Sequence, residues 1–231
     1  MHNSESANKA NFRKIIQTED GSHTLFVPEL DENYHSTHGA IQEAEHIFIK
    51  EALAFAVKDK NSLNVLEIGF GTGLNSFLSL LFAQQNNLEL FYHGLEKYPV
   101  VEEEYSVLNY AFDEKDNQAD FMNIHQAEWG RSTEIVKGFS LKKERVDFRE
   151  MQLPSNYFDV VYFDAFGPDV QPDLWTEKVF QLIYDSMKVG AVMTTYSVKG
   201  VVRRAMKSVG FEVEKIPGPP GKREISRAIK S

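Results

Sequence analysis

The chain contains no cysteine among its 231 residues. This excludes disulfide bonds, thiolate metal sites and a cysteine nucleophile, and it fits a reducing compartment, so we expect a cytoplasmic protein. No apolar run approaches the roughly 18 residues of a membrane-spanning helix, and the polar segment 1–14 lacks the apolar core of a secretory signal. The seven histidines are scattered without metal-ligand spacing. We therefore expect no membrane partner and no bound metal.

The chain length suits one domain of ordinary size with a small appendage. We expect residues 1–11 to be disordered, because they are polar and lack periodicity. Residues 12–60 are predicted to form an N-terminal extension of one hairpin and one helix. The hairpin is indicated by Asp20-Gly21 between two short apolar runs, and the helix by apolar positions recurring every three or four residues between Ala40 and Val57.

Three glycines at alternate positions, Gly69, Gly71 and Gly73, follow the apolar run 63–68 and precede an apolar, helix-compatible segment. Such a strand–loop–helix unit presents backbone N–H groups to a nucleotide, and glycine lets the ligand approach closely. The spacing differs from the G-x-G-x-x-G of dinucleotide sites. Glu67, two residues upstream, would repel a pyrophosphate. The loop therefore favours a cationic nucleotide, S-adenosyl-L-methionine.

Two further predicted strands also end in an acid. Glu96 closes the run 88–96 and lies about where the ribose-binding acid of a nucleotide fold belongs, some 20 residues on. Asp164 closes the run 158–164. Ligands of doubly wound sheets bind outside the carboxyl ends of the strands, so Glu67, Glu96 and Asp164 are expected at one site.

Residues 61–231 alternate strand and helix patterns, which predicts a mainly parallel sheet with right-handed crossovers. Strands are predicted at 63–69, 88–96, 121–127, 158–164, 190–196, 211–216 and 224–229, and helices at 74–85, from 99, at 176–187 and at 198–209. We interpret the strongly charged segment 139–148 as an insertion, in the form of a hairpin. A closing antiparallel hairpin on a seven-stranded, Rossmann-like α/β sheet is typical of class I S-adenosyl-L-methionine-dependent methyltransferases.

The loop after the strand 158–164 carries groups suited to an amine substrate. An alkyl ammonium has no free lone pair, and a carboxylate such as Asp164 can hold it and take its proton. Phe166 can stack on a flat base. Tyr34, His35, Tyr196 and Ser197 are expected at the same mouth, although a surface loop ordered by aromatic packing is about as good an interpretation of Tyr34 and His35.

The net charge of −9 argues against a nucleic-acid partner, but its distribution does not. Residues 199–231 contain nine basic and three acidic residues, a local charge of +6. A basic face on an acidic body can bind a phosphate backbone. The residues that we expect to contact RNA there are Arg203, Arg204, Lys222 and Arg223.

The order of these motifs resembles a known family, the tRNA 5-aminomethyl-2-thiouridine methyltransferases, which comprise the methyltransferase half of the bifunctional MnmC enzymes and the stand-alone MnmD proteins. The resemblance extends from about Asp20 to Ala228. It rests on the glycine loop, on the segments 164–168 and 172–176, on the Tyr34-His35-Ser36 loop with Gly39, Ala40 and Glu43, and on the tail segments 201–204 and 219–224.

The resemblance implies methylation of the 5-aminomethyl group of wobble 2-thiouridine in tRNA, with S-adenosyl-L-methionine as donor. Glu67 and the three glycines would bind the donor by matching motifs, Glu96 would do so by position, and Asp164 would face the amine. Bifunctional members continue into a flavin oxidase domain, and we expect no flavin for this chain. The resemblance does not account for the charged insertion.

Two alternatives stay open. An aminopropyltransferase of the spermidine synthase type shares the fold and an acid in the corresponding loop, but it predicts more acids around a polyamine tunnel and no need for a basic face. A non-catalytic RNA-binding module of the same fold would not need Glu67, the glycines and Asp164 to be intact. The sequence does not indicate the oligomeric state.

Overall fold

The computed structural model describes residues 13–58, 60–111 and 115–231. Within these ranges the chain forms a three-stranded antiparallel sheet near the N-terminus and an eight-stranded main sheet. The predicted disorder of residues 1–11 lies outside the described residues. No helix in the described ranges is long and apolar enough to cross a lipid bilayer.

The N-terminal sheet begins with the predicted hairpin. Strands β1 (Lys14–Gln17) and β2 (His23–Val27) pair in antiparallel register, and Gly21 lies in the turn with φ +84°, a conformation that suits glycine. The short β3 (Glu32–Asn33) pairs with β2. The loop that carries Tyr34 and His35 follows β3 directly.

The predicted helix between Ala40 and Val57 is also confirmed. Helix α1 consists of an α-helical turn (Ala40–Ala44), a π-helical stretch (Glu45–Ala54) and a final α-helical turn (Phe55–Val57). Its buried face packs on the main sheet and shares one apolar core with it. The predicted boundary between extension and domain at residue 60 stays a prediction.

The strands of the main sheet are β4 (Ser62–Ile68), β5 (Glu89–Glu96), β6 (Ser132–Val136), β7 (Phe139–Arg145), β8 (Phe158–Phe163), β9 (Met187–Thr195), β10 (Phe211–Pro217) and β11 (Glu224–Lys230). Their order in the sheet is β10-β11-β9-β8-β4-β5-β7-β6. The five strands from β9 to β7 run parallel, whereas β11, β10 and β6 are joined through antiparallel pairings. The sheet is the mainly parallel, Rossmann-like one that the alternating pattern predicts.

Helices cover both faces of this sheet. The helices after α1 are α2 (Leu74–Asn86), α3 (Glu102–Tyr105), α4 (Lys115–Gln126), α5 (Glu177–Ser186) and α6 (Gly200–Ser208). One core lies between the sheet and α1, α2 and α4, and the other lies between the opposite face and α5 and α6. Alternate residues of each central strand therefore enter different cores; in β8, Tyr162 faces the first and Phe163 the second.

The prediction of a strand at 121–127 is wrong. Residues 121–126 belong to helix α4, which ends at Gln126. Phe121, Ile124 and His125 are buried and lie three and four residues apart, the spacing of one helix face. The run is too short for its apolar residues to distinguish a strand from a buried helix segment.

The insertion predicted at 139–148 is also corrected. Strand β7 pairs in parallel with β5 over Phe139–Arg145 and forms an antiparallel hairpin with β6. Its side chains alternate between buried and half-buried through Glu144, the period of a strand. The charged residues concealed this alternation, because Lys143 is charged yet only 1% exposed. The main sheet consequently has eight strands where seven were predicted.

Candidate active site

The glycine loop joins β4 to α2 in a backbone conformation that other residues rarely adopt. Gly69, Gly71 and Gly73 have φ of +93°, +48° and +74°. A Cβ on Gly69 would stand 2.5 Å from the carbonyl oxygen of Asp164, and a Cβ on Gly71 would stand 2.9 Å from the Tyr34 ring. Both contacts are too close for a side chain. The loop therefore presents bare backbone to the cavity between the Tyr34 and Asp164 loops.

Glu96 is connected directly to this loop. Its Oε2 accepts a hydrogen bond from Gly71 N at 3.0 Å, and its Oε1 accepts one from Tyr98 N at 2.8 Å. Glu96 lines the cavity beside Gly69 and Gly71. A carboxylate fixed at the end of β5, beside a glycine loop, is suited to accept hydrogen bonds from ribose hydroxyls.

Glu67 lies beneath the glycine loop and does not line the cavity. It is fully buried, with Oε1 accepting from Asn75 Nδ2 at 2.8 Å and Oε2 accepting from the Tyr92 hydroxyl at 2.8 Å. Burial raises the pKa of Glu67 well above its ordinary value. Gly73 likewise faces inward, toward His125. Glu67 and Gly73 are therefore not among the residues of the cavity wall, and their contact with the donor stays a prediction.

Asp164 follows β8 and lines the cavity next to Gly69. Its backbone N donates to Ile68 O at 2.9 Å, and its Oδ2 accepts from Asn75 Nδ2 at 2.9 Å. Burial, and next the nearby carboxylate of Glu43, raise the pKa of Asp164 to about 7, against the lowering effects of Asn75 and Lys222. A carboxyl group with a pKa near neutrality is suited to accept and return a proton.

Glu43 of α1 is a second acid of this cavity. Its Oε2 accepts from Ser36 N at 2.7 Å, and its Oε1 lies 3.2 Å from Lys222 Nζ. This ion pair connects α1 to the turn between β10 and β11. The predicted residue Lys222 therefore contributes to the cavity wall, with its ammonium 5.3 Å from the centre of the Tyr196 ring.

Aromatic rings form another part of the cavity wall. Tyr34 and Phe166 meet edge to face at 5.2 Å between ring centres. The Tyr196 hydroxyl donates to Ala165 O at 2.8 Å, and Trp175 Nε1 donates to Phe166 O at 2.8 Å. These bonds hold the loop after β8 in place. Tyr34, Phe166 and Tyr196 all line the cavity, where they can pack against a flat ring.

His35 lines the same cavity, whereas Ser197 does not. One ring nitrogen of His35 lies 3.2 Å from Thr24 Oγ1 and the other 3.5 Å from Thr72 Oγ1. Burial lowers the pKa of His35 to about 4, so the ring is neutral at physiological pH. Ser197 is buried, and its carbonyl accepts from Ser226 Oγ. His35 supports the glycine loop, and Ser197 fastens the end of β9 to β11.

Asp147 is an acid of the site that the sequence analysis missed. It lies two residues beyond β7 and lines the cavity together with Phe148. Lys97 Nζ donates to its Oδ2 at 2.8 Å, and Arg149 donates to both of its oxygens. The same rule that predicted Glu96 and Asp164 applies here, since Asp147 also follows the carboxyl end of a parallel strand. The sequence analysis did not apply this rule to Asp147, because it interpreted residues 139–148 as an insertion and predicted no parallel strand there.

The basic tail is partly neutralised by the fold. Three of its cations form ion pairs: Lys199 with Asp169, Lys215 with Glu224, and Arg227 with Glu214 and Glu51. The ammonium of a fourth, Lys230, donates hydrogen bonds to backbone carbonyl oxygens. The predicted RNA contacts Arg203, Arg204 and Arg223 lie outside the cavity. Arg204 and Arg223 are exposed, and Arg203 is half-buried.

The cavity as a whole has a volume of about 1050 Å³. Small-molecule sites usually occupy about 300–1,000 Å³, so it has room for a nucleotide and part of a second molecule. Its lining contains more acidic than basic side chains: Glu29, Glu32, Glu43, Glu96, Asp147, Asp164 and Asp173 against Arg13, Lys97, Arg149 and Lys222. The bare glycine loop and these acids fit S-adenosyl-L-methionine, which has an ammonium, a sulfonium and no phosphate. Among the described residues no group of three or more metal-ligating side chains has the arrangement of a metal site.

Comparison with known proteins agrees with this geometry. Residues 126–231 match the family model described as S-adenosyl-L-methionine-dependent methyltransferase. The "tRNA 5-methylaminomethyl-2-thiouridine biosynthesis bifunctional protein MnmC" of Cupriavidus metallidurans is 28% identical over 226 residues, which are 92% of this chain and 33% of that protein. The protein of the same name from Azoarcus sp. is 31% identical over 223 residues, covering 90% and 34%. The chain thus spans about a third of the length of these relatives.

Solved structures include a similar protein, MNMC2 from Aquifex aeolicus, with a TM-score of 0.75 and 26% identity over 96% of this chain and 72% of that one. Spermidine synthase from Thermotoga maritima aligns with a TM-score of 0.53 and 16% identity, covering 96% and 70%. At that identity the second likeness shows a common fold only.

Proposed function

We propose that the chain methylates the amine of 5-aminomethyl-2-thiouridine at the wobble position of tRNA. The product is 5-methylaminomethyl-2-thiouridine. The match of residues 126–231 to the S-adenosyl-L-methionine-dependent methyltransferase family and the similarity of the chain to the MnmC proteins support this proposal. The observation that carries the proposal is Asp164 in the cavity wall. Its backbone carbonyl lies against Gly69, and its carboxyl group, with a pKa of about 7, accepts a hydrogen bond from Asn75 directly after the glycine loop.

The donor is held by the glycine loop and the acids beside it. Gly69 and Gly71 offer bare backbone, and Glu96 is oriented by Gly71 N to receive the ribose hydroxyls. Asp147 and Phe148, at the end of the adjacent β7, are suited to the amino group and the face of adenine. Glu67 contributes indirectly, because it accepts a hydrogen bond from Asn75 and does not itself reach the cavity. When bound, S-adenosyl-L-methionine supplies the methyl group, and its sulfonium leaves as a neutral thioether.

Asp164 acts as general base toward the amine. The aminomethyl group is an ammonium at neutral pH, and its attraction to Asp164 and Glu43 brings it into the cavity. Asp164 then accepts one proton, which frees the nitrogen lone pair for in-line attack. A pKa near 7 is better suited to this task than an ordinary aspartate, whose pKa of about 4 makes it a weaker base.

The nucleobase is positioned by the aromatic wall. Tyr34, Phe166 and Tyr196 line the cavity on the side of Asp164, and stacking of one base on such a ring contributes about 1–3 kcal/mol. Arg203, Arg204 and Arg223 supply positive charge outside the cavity, where the phosphate backbone of the anticodon loop would pass. We further propose that the reaction needs neither flavin nor metal and takes place in the cytoplasm.

Nucleoside analysis tests the proposal directly. The purified protein is incubated with S-adenosyl-L-methionine and tRNA that carries 5-aminomethyl-2-thiouridine, and the nucleosides are measured by mass spectrometry. We expect a gain of one methyl group on that nucleoside only, also in the presence of a chelator. No methylated product with wild-type protein would refute the assignment. Aminopropylation of putrescine with decarboxylated donor would assign a different transferase.

A further inference from the structure

Asn75 occupies a position that the proposed reaction does not yet use. It is the second residue of α2, directly after the glycine loop, and it is 3% exposed and lines the cavity. Its Nδ2 donates one hydrogen bond to Glu67 Oε1 at 2.8 Å and another to Asp164 Oδ2 at 2.9 Å. One amide nitrogen therefore links the carboxyl groups of two adjacent parallel strands.

The other half of this amide is unsatisfied. Asn75 Oδ1 is buried and has no hydrogen-bond partner among the described residues. Buried acceptors without a partner are uncommon in folded proteins, because they lose their bonds to water and gain nothing in return. The amide oxygen carries no hydrogen, so it can only accept. Because Asn75 is a residue of the cavity wall, a ligand that enters the cavity can bring the missing donor.

We propose that Asn75 positions Asp164 through Nδ2 and accepts an N–H of the substrate amine through Oδ1, an inference that rests on the proposed function. With Oδ2 of Asp164 held by Asn75, the other carboxylate oxygen is left for the amine. The ammonium gives one proton to Asp164 and keeps two N–H bonds, one of which Asn75 holds. The freed lone pair forms the new nitrogen–carbon bond, and the sulfur of the donor leaves with the electrons of the broken carbon–sulfur bond.

The groups around Asp164 determine how the pH dependence of methyl transfer should change when Asn75 is replaced. Burial and Glu43 raise the pKa of Asp164, whereas the hydrogen bond from Asn75 and the charge of Lys222 lower it. Among the described residues, the titratable or charged groups near Asp164 are Glu43 on α1, Glu67 on β4, Tyr92 on β5, Tyr196 after β9 and Lys222 in the turn between β10 and β11. Loss of the Asn75 donor therefore shifts the pKa of Asp164 upward.

The test is the pH profile of kcat/KM for methyl transfer to tRNA by wild type, Asn75→Ala and Asn75→Asp. In wild type we expect an acid limb near pH 7, since Asp164 must be deprotonated to act. In Asn75→Ala the limb should move up by about one pH unit, with about fivefold lower activity at pH 7 from the protonation of Asp164. Asn75→Asp adds a second negative charge beside Asp164 and should move the acid limb at least as far.

Donor affinity separates this role from a role in the donor site. Titration calorimetry with S-adenosylhomocysteine should give the same affinity in Asn75→Ala as in wild type, within about twofold. Asn86→Ala is the matched control, because Asn86 is an exposed asparagine at the end of the same helix. Thermal melting checks the fold; if Asn75→Ala does not fold, Asn75→Ser, which keeps a small donor, should show a smaller shift in the same direction.

Two results would overturn the inference. One is an acid limb that stays at the wild-type pH in every Asn75 variant. The other is a loss of S-adenosylhomocysteine affinity as large as the loss in kcat/KM, which would place Asn75 in the donor site. A wild-type protein that transfers no methyl group would refute the proposed function itself, so the two failures are distinguishable.

Discussion

Gly94 shows how a single missing side chain shapes the donor site. It lies in β5 with ordinary strand geometry, and a Cβ there would overlap the Phe70 ring. Phe70 belongs to the glycine loop and is 3% exposed, so it has little space to move. The requirement for glycine at position 94 thus comes from a residue in another element, and a pattern search around Gly69, Gly71 and Gly73 does not find it.

Gly94→Ala should therefore weaken donor binding. The new methyl group displaces Phe70, and the loop that presents Gly69 and Gly71 moves with it. We expect S-adenosylhomocysteine to bind about tenfold or more weakly in calorimetry, in a protein that still melts cooperatively. Gly200→Ala serves as control, since a Cβ there meets only the flexible end of Arg204. Equal affinity in both variants would contradict this account of Phe70.

Asp164→Asn should separate binding from turnover. The substituted amide has the size of the carboxyl group but cannot accept the proton of an ammonium. General-base catalysis contributes about 10²–10⁴-fold, so kcat should fall by that factor, measured as methyl groups transferred to tRNA at saturating donor. S-adenosylhomocysteine affinity should remain close to wild type. A variant with near wild-type kcat would show that Asp164 is not the base.

At the scale of secondary structure, β7 illustrates how a charged strand can be central to a fold. Lys143 is buried beneath the donor loop, where its Nζ donates to His125 O at 2.6 Å and lies 4.8 Å from the centre of the Trp129 ring. Burial lowers the pKa of Lys143 to about 8. His125 in turn donates from Nε2 to Thr72 O at 3.0 Å and stacks on Tyr105. The strand and α4 together support the loop from below.

The burial of Lys143 predicts a distinct pH dependence of stability. Its pKa is lower in the folded chain than the 10.5 of an unfolded lysine, so the unfolded state binds more protons between pH 8 and 10.5. Wild-type stability should therefore rise through this range, by up to about 3 kcal/mol. In Lys143→Met this rise should be absent, as measured by urea unfolding at pH 7.5 and pH 10. Lys142→Met, at the half-buried neighbouring position, should keep it.

At the scale of the whole molecule, the cavity is formed by parts that are far apart in the sequence. Tyr34 and Glu43 come from the N-terminal extension, Asp164 follows the centre of the sheet, and Lys222 comes from the closing hairpin. The Lys222–Glu43 ion pair brings the two ends of the chain together at the mouth. Asp164, Glu43 and Glu96 line the interior, and Arg203, Arg204 and Arg223 of the tail lie outside the cavity. This arrangement suits an ammonium held within and a phosphate backbone bound at the surface.

Arg203→Ala combined with Arg204→Ala should weaken tRNA binding and flatten its salt dependence. Each lost phosphate contact reduces the slope of log K against log salt by roughly 0.7–0.9, a change that fluorescence anisotropy between 50 and 200 mM salt can measure. Arg131→Ala with Lys137→Ala is the matched control, because it removes the same charge near the β6 edge of the sheet. Equal losses in the two double variants would indicate that only net charge matters.

The sequence by itself determined the parts of this protein that depend on neighbours along the chain. The glycine loop, the hairpin at Asp20-Gly21, helix α1 and the acids Glu96 and Asp164 were all predictable, because turn chemistry, helical periodicity and strand ends are local properties. The predictions for α4 and β7 failed. In α4 the apolar run was too short to show a helical period, and in β7 a buried charge concealed the alternation of a strand.

Only the tertiary structure decided which of these residues meet. It buried Glu67 beneath the loop and brought Asn75 between two carboxyl groups. It also moved the pKa of Asp164 to about 7 through burial and the approach of Glu43. It paired much of the basic tail internally. Burial and the electric field at a side chain depend on elements that are distant in sequence, and no local pattern encodes them.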